Sequence, residues 1–368
     1  MKKTFILALL FLFTGMANAQ DYFPKNDGVK EENNNNVALT NATLYVTPSQ
    51  VIKNGTLLIQ NGKVVASGSN VNIPKNSITI DLQGKYVYPS FIDSYSGFGI
   101  EKPKRQGGGR SPQYDATREG FYWNDHIMPE NKGIDKFKYE SKDAEELRKL
   151  GFGIVNTHLM DGIARGTGVL VALNDESGDA TRILNDQSGQ FFSFSKSVSS
   201  NQSYPGSLMG SMALLRQVYS DMDWYAKGNS KTKDRSLEAM IENKNLISFF
   251  EAGDKGNNVR ANKIGDQFNI NYVIVGGGDE YESIESIKKT NAKYVIPINF
   301  PSAYDVSDPY YAKYISLEDM REWNQAPQNL KVLSENGITF ALTTYELDKV
   351  SEFSKNLQKA IEYGFNKT

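Results

Sequence analysis

From residue 245 onward the chain alternates short apolar runs with helical patterns, and this alternation constrains its fold most. Residues 245–252, 271–278, 294–299 and 338–344 read as strands. Helical spacing fills the intervals at about 257–268, 280–290, 316–337 (broken near Pro327) and 347–363. Strands that recur this way need crossover helices to bring the chain back to the same end of a parallel sheet. The same step occurs earlier, at 141–157. Ser141 can cap a helix, acids lie in its first turn, bases in its last, and Gly151 sits past its end. Residues 152–157 follow as a buried strand. Periodicity alone does not separate a closed barrel from an open doubly wound sheet.

Upstream, the pattern is of short alternating strands, at 38–46, 55–68 and 80–87. Asn61-Gly62 marks a two-residue hairpin, because both turn positions of a type I′ turn need positive φ. Residues 88–97 then read Tyr-Pro-Ser-Phe-Ile-Asp-Ser-Tyr-Ser-Gly.

This last stretch resembles the opening motif of the amidohydrolase superfamily, P-G-F-I-D-x-H-x-H. Residues 38–87 resemble that family's lead-in, with its I-x-N-G-K hairpin and its D-x-x-G-K-x-V-x-P-G approach. Imidazolonepropionase-like members are the nearest pattern. The resemblance implies an α/β fold: a (β/α)8 TIM-type barrel, complete or cut short at the C-terminus, with a small N-terminal β-sandwich satellite. The expected division is a signal peptide at 1–19, a polar arm at 20–37, the sandwich lead-in at 38–88 and the barrel at 89–368. Two strand-like runs within 165–196 are expected to form an inserted hairpin near the barrel mouth. A helix after Pro205 is expected to bury Met209, Met212, Ala213, Leu215 and Tyr219.

The family's metal chemistry is where this chain departs. Tyr95 and Gly97 stand at the motif's two histidine positions. Phe249, Phe250 and Glu251 stand at the expected fifth strand, Gly276 near the sixth, and Tyr345 at the eighth-strand aspartate. The whole chain holds two histidines, His126 and His158, and no cysteine. Zinc needs nitrogen, sulfur or carboxylate donors that converge. Asp93 is kept, but in the family it is not a ligand. The expectation is a vestigial, partly apolar pocket where Asp93, Tyr95, Gly97, His158, Phe249, Glu251 and Tyr345 converge. No catalytic, cofactor-binding or metal residue is assigned. Asp93, Glu251, Asp254, Asp279 and Glu346 could lie at strand ends and supply an acid–base pair or a carboxylate cation site. Helix capping is the plainer role for such residues. No G-x-S-x-G elbow or cysteine nucleophile is present. The glycine-rich stretch 107–110 lacks the lysine and spacing of a phosphate cradle.

The N-terminus has the order of a targeting segment. Lys2 and Lys3 precede an apolar run at 5–13, and Ala17-Asn18-Ala19 precedes Gln20. Export to the periplasm or outside the cell follows as an expectation. With 41 basic and 43 acidic residues, nothing points to nucleic acid. No later stretch is apolar enough for a membrane span. The expected function is an exported amidohydrolase-like protein, inactive on its own, needing no cofactor. It would serve as the structural or binding half of a larger hydrolase, partnered by a second amidohydrolase-like domain or a second copy. The alternative is a secreted hydrolase of C–N bonds with an unconventional site, or with zinc held by missing sequence.

Overall fold

The computed structural model describes residues 36–109, 111–114, 118–175 and 178–366. The expected signal peptide and residues 20–35 of the expected arm lie outside the described residues. The chain divides into two compact units, one ending at Pro89 and one beginning at Ser90.

The first unit is one sheet of five strands: β1 (Asn36–Thr47), β2 (Gln50–Gln60), β3 (Lys63–Gly68), β4 (Ile78–Asp81) and β5 (Tyr86–Val87). Its order is β3-β2-β1-β4, and β5 also pairs with β1. The β2–β3 hairpin turns in two residues, since Gln60 opposes Lys63. Asn61 and Gly62 have φ of 51° and 74°, which is the I′ geometry their sequence calls for. Ala38, Ala42, Leu44 and Leu58 are buried, while Val64, Ile78, Ile80 and Tyr86 are exposed. The described residues therefore supply one layer, not the two that a sandwich requires.

The second unit holds two further sheets. One has the order β10-β9-β7-β6, from β6 (Phe91–Ser96), β7 (Phe152–Thr157), β9 (Val169–Ala172) and β10 (Ile183–Asn185). The other runs β15-β14-β13-β12-β11-β8. Its strands are β8 (Ala164–Thr167), β11 (Gln190–Ser193), β12 (Ser248–Glu251), β13 (Tyr272–Val275), β14 (Lys293–Pro297) and β15 (Phe340–Thr343). β6 and β7 are parallel, and so are β11 through β15. This is a mixed α/β arrangement built mainly of parallel pairs. The longer helices are α1 (Ser141–Lys149), α2 (Leu208–Ala226), α3 (Arg235–Glu242), α4 (Lys255–Phe268), α5 (Ile284–Thr290), α6 (Leu317–Gln325), α7 (Asn329–Glu335) and α8 (Glu352–Glu362). They lay Leu147, Leu214, Leu215, Leu237, Ile264, Leu330, Leu333 and Phe353 into one core with Phe152, Phe192, Phe250, Ile274 and Ile296 of the strands.

Three expectations change here. The 165–196 region is not a simple inserted hairpin. β8 does pair antiparallel with β11, but β11 continues in parallel with β12, and β9 joins β7 in the other sheet. Two strand-like runs cannot reveal which neighbour each will pair with. The helix after Pro205 buries Ser211, Leu214, Leu215, Val218 and Tyr219 and leaves Met209 80% exposed. The apolar stripe is thus rotated from the one read in sequence, because Ser211 faces inward, where its hydroxyl donates to the Phe194 carbonyl at 2.9 Å. Finally, α1 begins at Ser141 itself, with Glu140 at the cap and no side-chain cap bond.

Candidate functional site

β6, β7, β12 and β15 end at one place, and the residues that follow from their sequences meet there. Tyr95, on β6, is fully buried. Its ring lies edge-on to Tyr345 at 4.9 Å and 4.6 Å from His158. His158 stacks on Phe191 at 3.7 Å, and Phe191 stacks on Phe249 at 4.9 Å. Val275 and Val295 close this second, smaller core. Each ring comes from a different strand or the residues just after it, so a column of aromatics fills the space between the two sheets.

The centre of the cluster is charged, and one of its charges was not foreseen. Arg165, on β8, puts Nη1 2.6 Å from Glu251 Oε2 and 2.7 Å from the Tyr95 hydroxyl oxygen. The Tyr95 hydroxyl donates to the same Glu251 oxygen at 2.6 Å. Arg165 Nε donates to the Gly162 carbonyl at 3.0 Å, which fixes the guanidinium. Its side chain is 3% exposed and that of Glu251 16%. Burial pushes the Glu251 carboxyl up, but the Arg165 charge and hydrogen bonds from Tyr95, Arg165 and Tyr345 outweigh it. Glu251 is held below the usual carboxylate range. Burial raises the Tyr95 phenol well above its ordinary value despite the opposing pull of Arg165. Sequence reading missed Arg165 because no family motif covers β8. An arginine next to two glycine positions in an apolar run was the available signal.

Asp93 serves a different purpose. It is buried and accepts from Thr343 Oγ1 at 2.7 Å, Thr344 Oγ1 at 2.5 Å and the Thr344 backbone at 3.2 Å. It therefore ties β6 to the end of β15 across the two sheets. Burial raises its pKa, against these hydrogen bonds. Gly97 is exposed, and a Cβ there would stand 3.5 Å from the Met160 sulfur. It borders the cluster without entering it.

The remaining carboxylates are largely structural. Asp254 caps α4, accepting from the Asn257 backbone at 2.8 Å. Asp279 accepts from the Lys255 backbone at 2.9 Å. Glu280 is fully buried between Asn258 at 3.1 Å, Asn329 at 2.7 Å and the Gly277 backbone at 3.0 Å. A Cβ on Gly276 would come within 1.9 Å of Glu280 Oε1, so only glycine leaves room for this carboxylate. Glu346 reaches solvent, yet desolvation, then the charges of Glu251 and Glu280, raise it to about 7.

The residues do not fit a divalent cation. Among the described residues no three His, Cys, Asp or Glu side chains converge as ligands. Glu251 is already neutralised by Arg165. His158 has both ring nitrogens buried without a hydrogen-bond partner, and burial, then Arg165, lowers its pKa well below the ordinary value. One leftover imidazole beside a guanidinium does not make the three or four donors that zinc takes. His126 is spoken for: its Nδ1 accepts from the Ser197 backbone at 3.1 Å and its Nε2 lies 3.2 Å from the Gln202 carbonyl. Beside the plug lies a cavity of about 510 Å³, lined by Glu251, Lys196, Asn257, Ser203, Ser207 and Phe194 among others.

Comparison with solved structures follows this geometry. An amidohydrolase from Thermotoga maritima MSB8 superposes with a TM-score of 0.65 at 20% identity, covering 90% of this chain and 84% of that one. This chain shares its overall fold with that protein. A β-aspartyl dipeptidase from Fervidobacterium islandicum AW-1 superposes at a TM-score of 0.45 and 12% identity, covering 90% of this chain and 83% of that one. In sequence, an imidazolonepropionase of Staphylococcus aureus (strain Newman) is 33% identical over 70 residues, 19% of this chain. That match spans 16% of the relative's own length. No family model matches. The Arg165–Glu251–Tyr95 cluster lies where β6 and β12 end.

Proposed function

We propose that this chain is an exported amidohydrolase-like protein without metal-dependent hydrolysis of its own. It acts as the binding or structural half beside a second amidohydrolase-like domain or a second copy. The two sheets of its second unit are arcs of one interrupted (β/α) barrel, with β8 and β9 between β7 and β11. The observation that supports this reading is the Arg165–Glu251 pair at 2.6 Å, closed over by Tyr95. A buried guanidinium repels a cation, and the pair satisfies the carboxylate that a metal would need.

Metal analysis after zinc loading tests the proposal. The expected result is no stoichiometric ion, and about one tightly held ion per chain overturns it. Tyr95→His with Gly97→His should restore no hydrolysis of amides, dipeptides or ureides, because among the described residues no further ligands converge. A second reading, a secreted C–N hydrolase with an unconventional site, is favoured by Glu346. A carboxyl near pH 7 is suited to general acid–base work. That reading requires activity that Glu346→Gln abolishes.

A further inference from the structure

We propose that the cavity of about 510 Å³ beside the plug, with the aromatic cluster Tyr114–Trp123–Tyr204 at its edge, is a binding site for a neutral sugar. The inference goes beyond the function proposed above, which names no ligand. The cavity falls within the range of about 300–1,000 Å³ that small-molecule sites occupy. Its lining is largely polar. Ser195, Ser203 and Ser207 bring hydroxyls, Asn257 an amide and Glu251 a carboxylate. Ser207 Oγ accepts from the Gly210 backbone at 3.2 Å, so its proton is left to donate.

Neither charge on the wall calls for a counter-ion. Glu251 is paired with Arg165 at 2.6 Å. The Lys196 ammonium donates to the Gln202 and Ser203 carbonyls at 2.9 and 3.3 Å. A carboxylate ligand would share the cavity with the Glu251 carboxylate, and an ammonium ligand with the Lys196 ammonium. The lining therefore suits a ligand rich in hydroxyls and without charge, which can match these donors and acceptors. Sugars meet that description and also carry an apolar C–H face, which packs on aromatic rings. The chain supplies such rings at the cavity. Tyr204 lies between Ser203 and Pro205, two residues of the lining. Its ring stacks with Trp123 at 6.1 Å and with Tyr114 at 6.3 Å, and Tyr114 stands 5.5 Å from Trp123. The segment that carries Tyr114 is pinned to this edge. The Ser111 backbone donates to the Asn201 carbonyl at 3.0 Å, and Gln202 Nε2 donates to the Gln113 carbonyl at 3.2 Å. Tyr114 is 69% exposed, so its ring is open to a ligand.

Titration of the purified chain with D-glucose, D-galactose, D-mannose, N-acetyl-D-glucosamine, cellobiose and maltose tests this. Tryptophan fluorescence reads the binding, because Trp123 stands in the cluster, and isothermal titration calorimetry checks it. Saturable binding of at least one sugar is expected, with a Kd of about 0.1–10 mM. Tyr114→Ala removes the exposed ring, and Gly206→Leu obstructs the cavity that Gly206 lines. A Cβ at Gly206 meets nothing within 4 Å and its φ is not left-handed, so the backbone accepts the larger residue. Each variant should weaken binding at least about tenfold, with circular dichroism to check that it folds. Acetate and glycine, titrated alongside, should not saturate. Failure of every sugar to bind, binding that either variant leaves unaltered, or saturation by acetate or glycine overturns the site. A bound zinc or hydrolytic activity would instead overturn the proposed function and leave the sugar site standing.

Discussion

Arg165→Met tests the site most directly. The substitution keeps an unbranched stem, shorter by the guanidinium end, and removes the charge. Glu251 then keeps the hydroxyls of Tyr95 and Tyr345 but loses its counter-charge, in a place where its side chain is 16% exposed. Breaking a buried pair from one side costs about 3–5 kcal/mol, and the two surviving phenols place this case near 3 kcal/mol. The pH dependence follows from the direction of the Glu251 shift. In the native chain its pKa is lowered, so the pair's contribution is present above the unfolded value near 4.3 and is lost as pH falls through the lower folded value. Without Arg165, burial dominates and the folded pKa rises above the unfolded one. The variant's penalty is then full at neutral pH and shrinks as pH falls through that raised value. The loss should be larger at pH 7 than at pH 5. Urea unfolding followed by tryptophan fluorescence reads this, since Trp123, Trp224 and Trp323 all lie in the second unit. Arg165→Met with Glu251→Gln should recover much of the stability, because no buried charge is left over. A loss below about 1 kcal/mol at pH 7, the size of a surface pair, refutes the reasoning. So does a double variant no more stable than the single one.

Gly62→Val should destabilise the first unit by about 1 kcal/mol or more, measured as a fall in melting temperature, through the strain of positive φ. A Cβ at Gly62 meets nothing within 4 Å, so a steric clash would not account for the effect, and an unchanged melting curve would count against the turn assignment. Glu346 binds a proton in the folded chain up to about pH 7, while the unfolded chain releases it near its ordinary value. Stability should therefore decline as pH rises between those values, and Glu346→Gln should flatten the decline. A slope that the variant leaves unaltered removes Glu346 as its source.

Much of the strand order could be read because each strand is a short apolar run with polar punctuation. The runs at 152–157, 271–278, 294–299 and 338–344 each coincide with or overlap an observed strand. The Asn61-Gly62 turn was legible because its φ requirement is local. Met209 was misplaced because helical spacing marks a stripe without saying which edge of it meets the core. β9 and β11 were placed incompletely because an apolar run does not encode its pairing partner: β9 takes β7, and β11 takes β12 as well as β8.

The sequence by itself determined the strand-and-helix rhythm, the hairpin at 61–62 and the shortage of metal ligands. Each of these depends on residue identity or on neighbours within a few positions. Only the tertiary structure decided what stands at the strand ends. Arg165 and Glu251 are 86 positions apart, and Tyr95 lies 70 positions before Arg165. Their meeting at 2.6–2.7 Å depends on how β6, β8 and β12 are placed in two different sheets. Low dielectric then turns ordinary residues into a closed ion pair, and no local pattern encodes that environment.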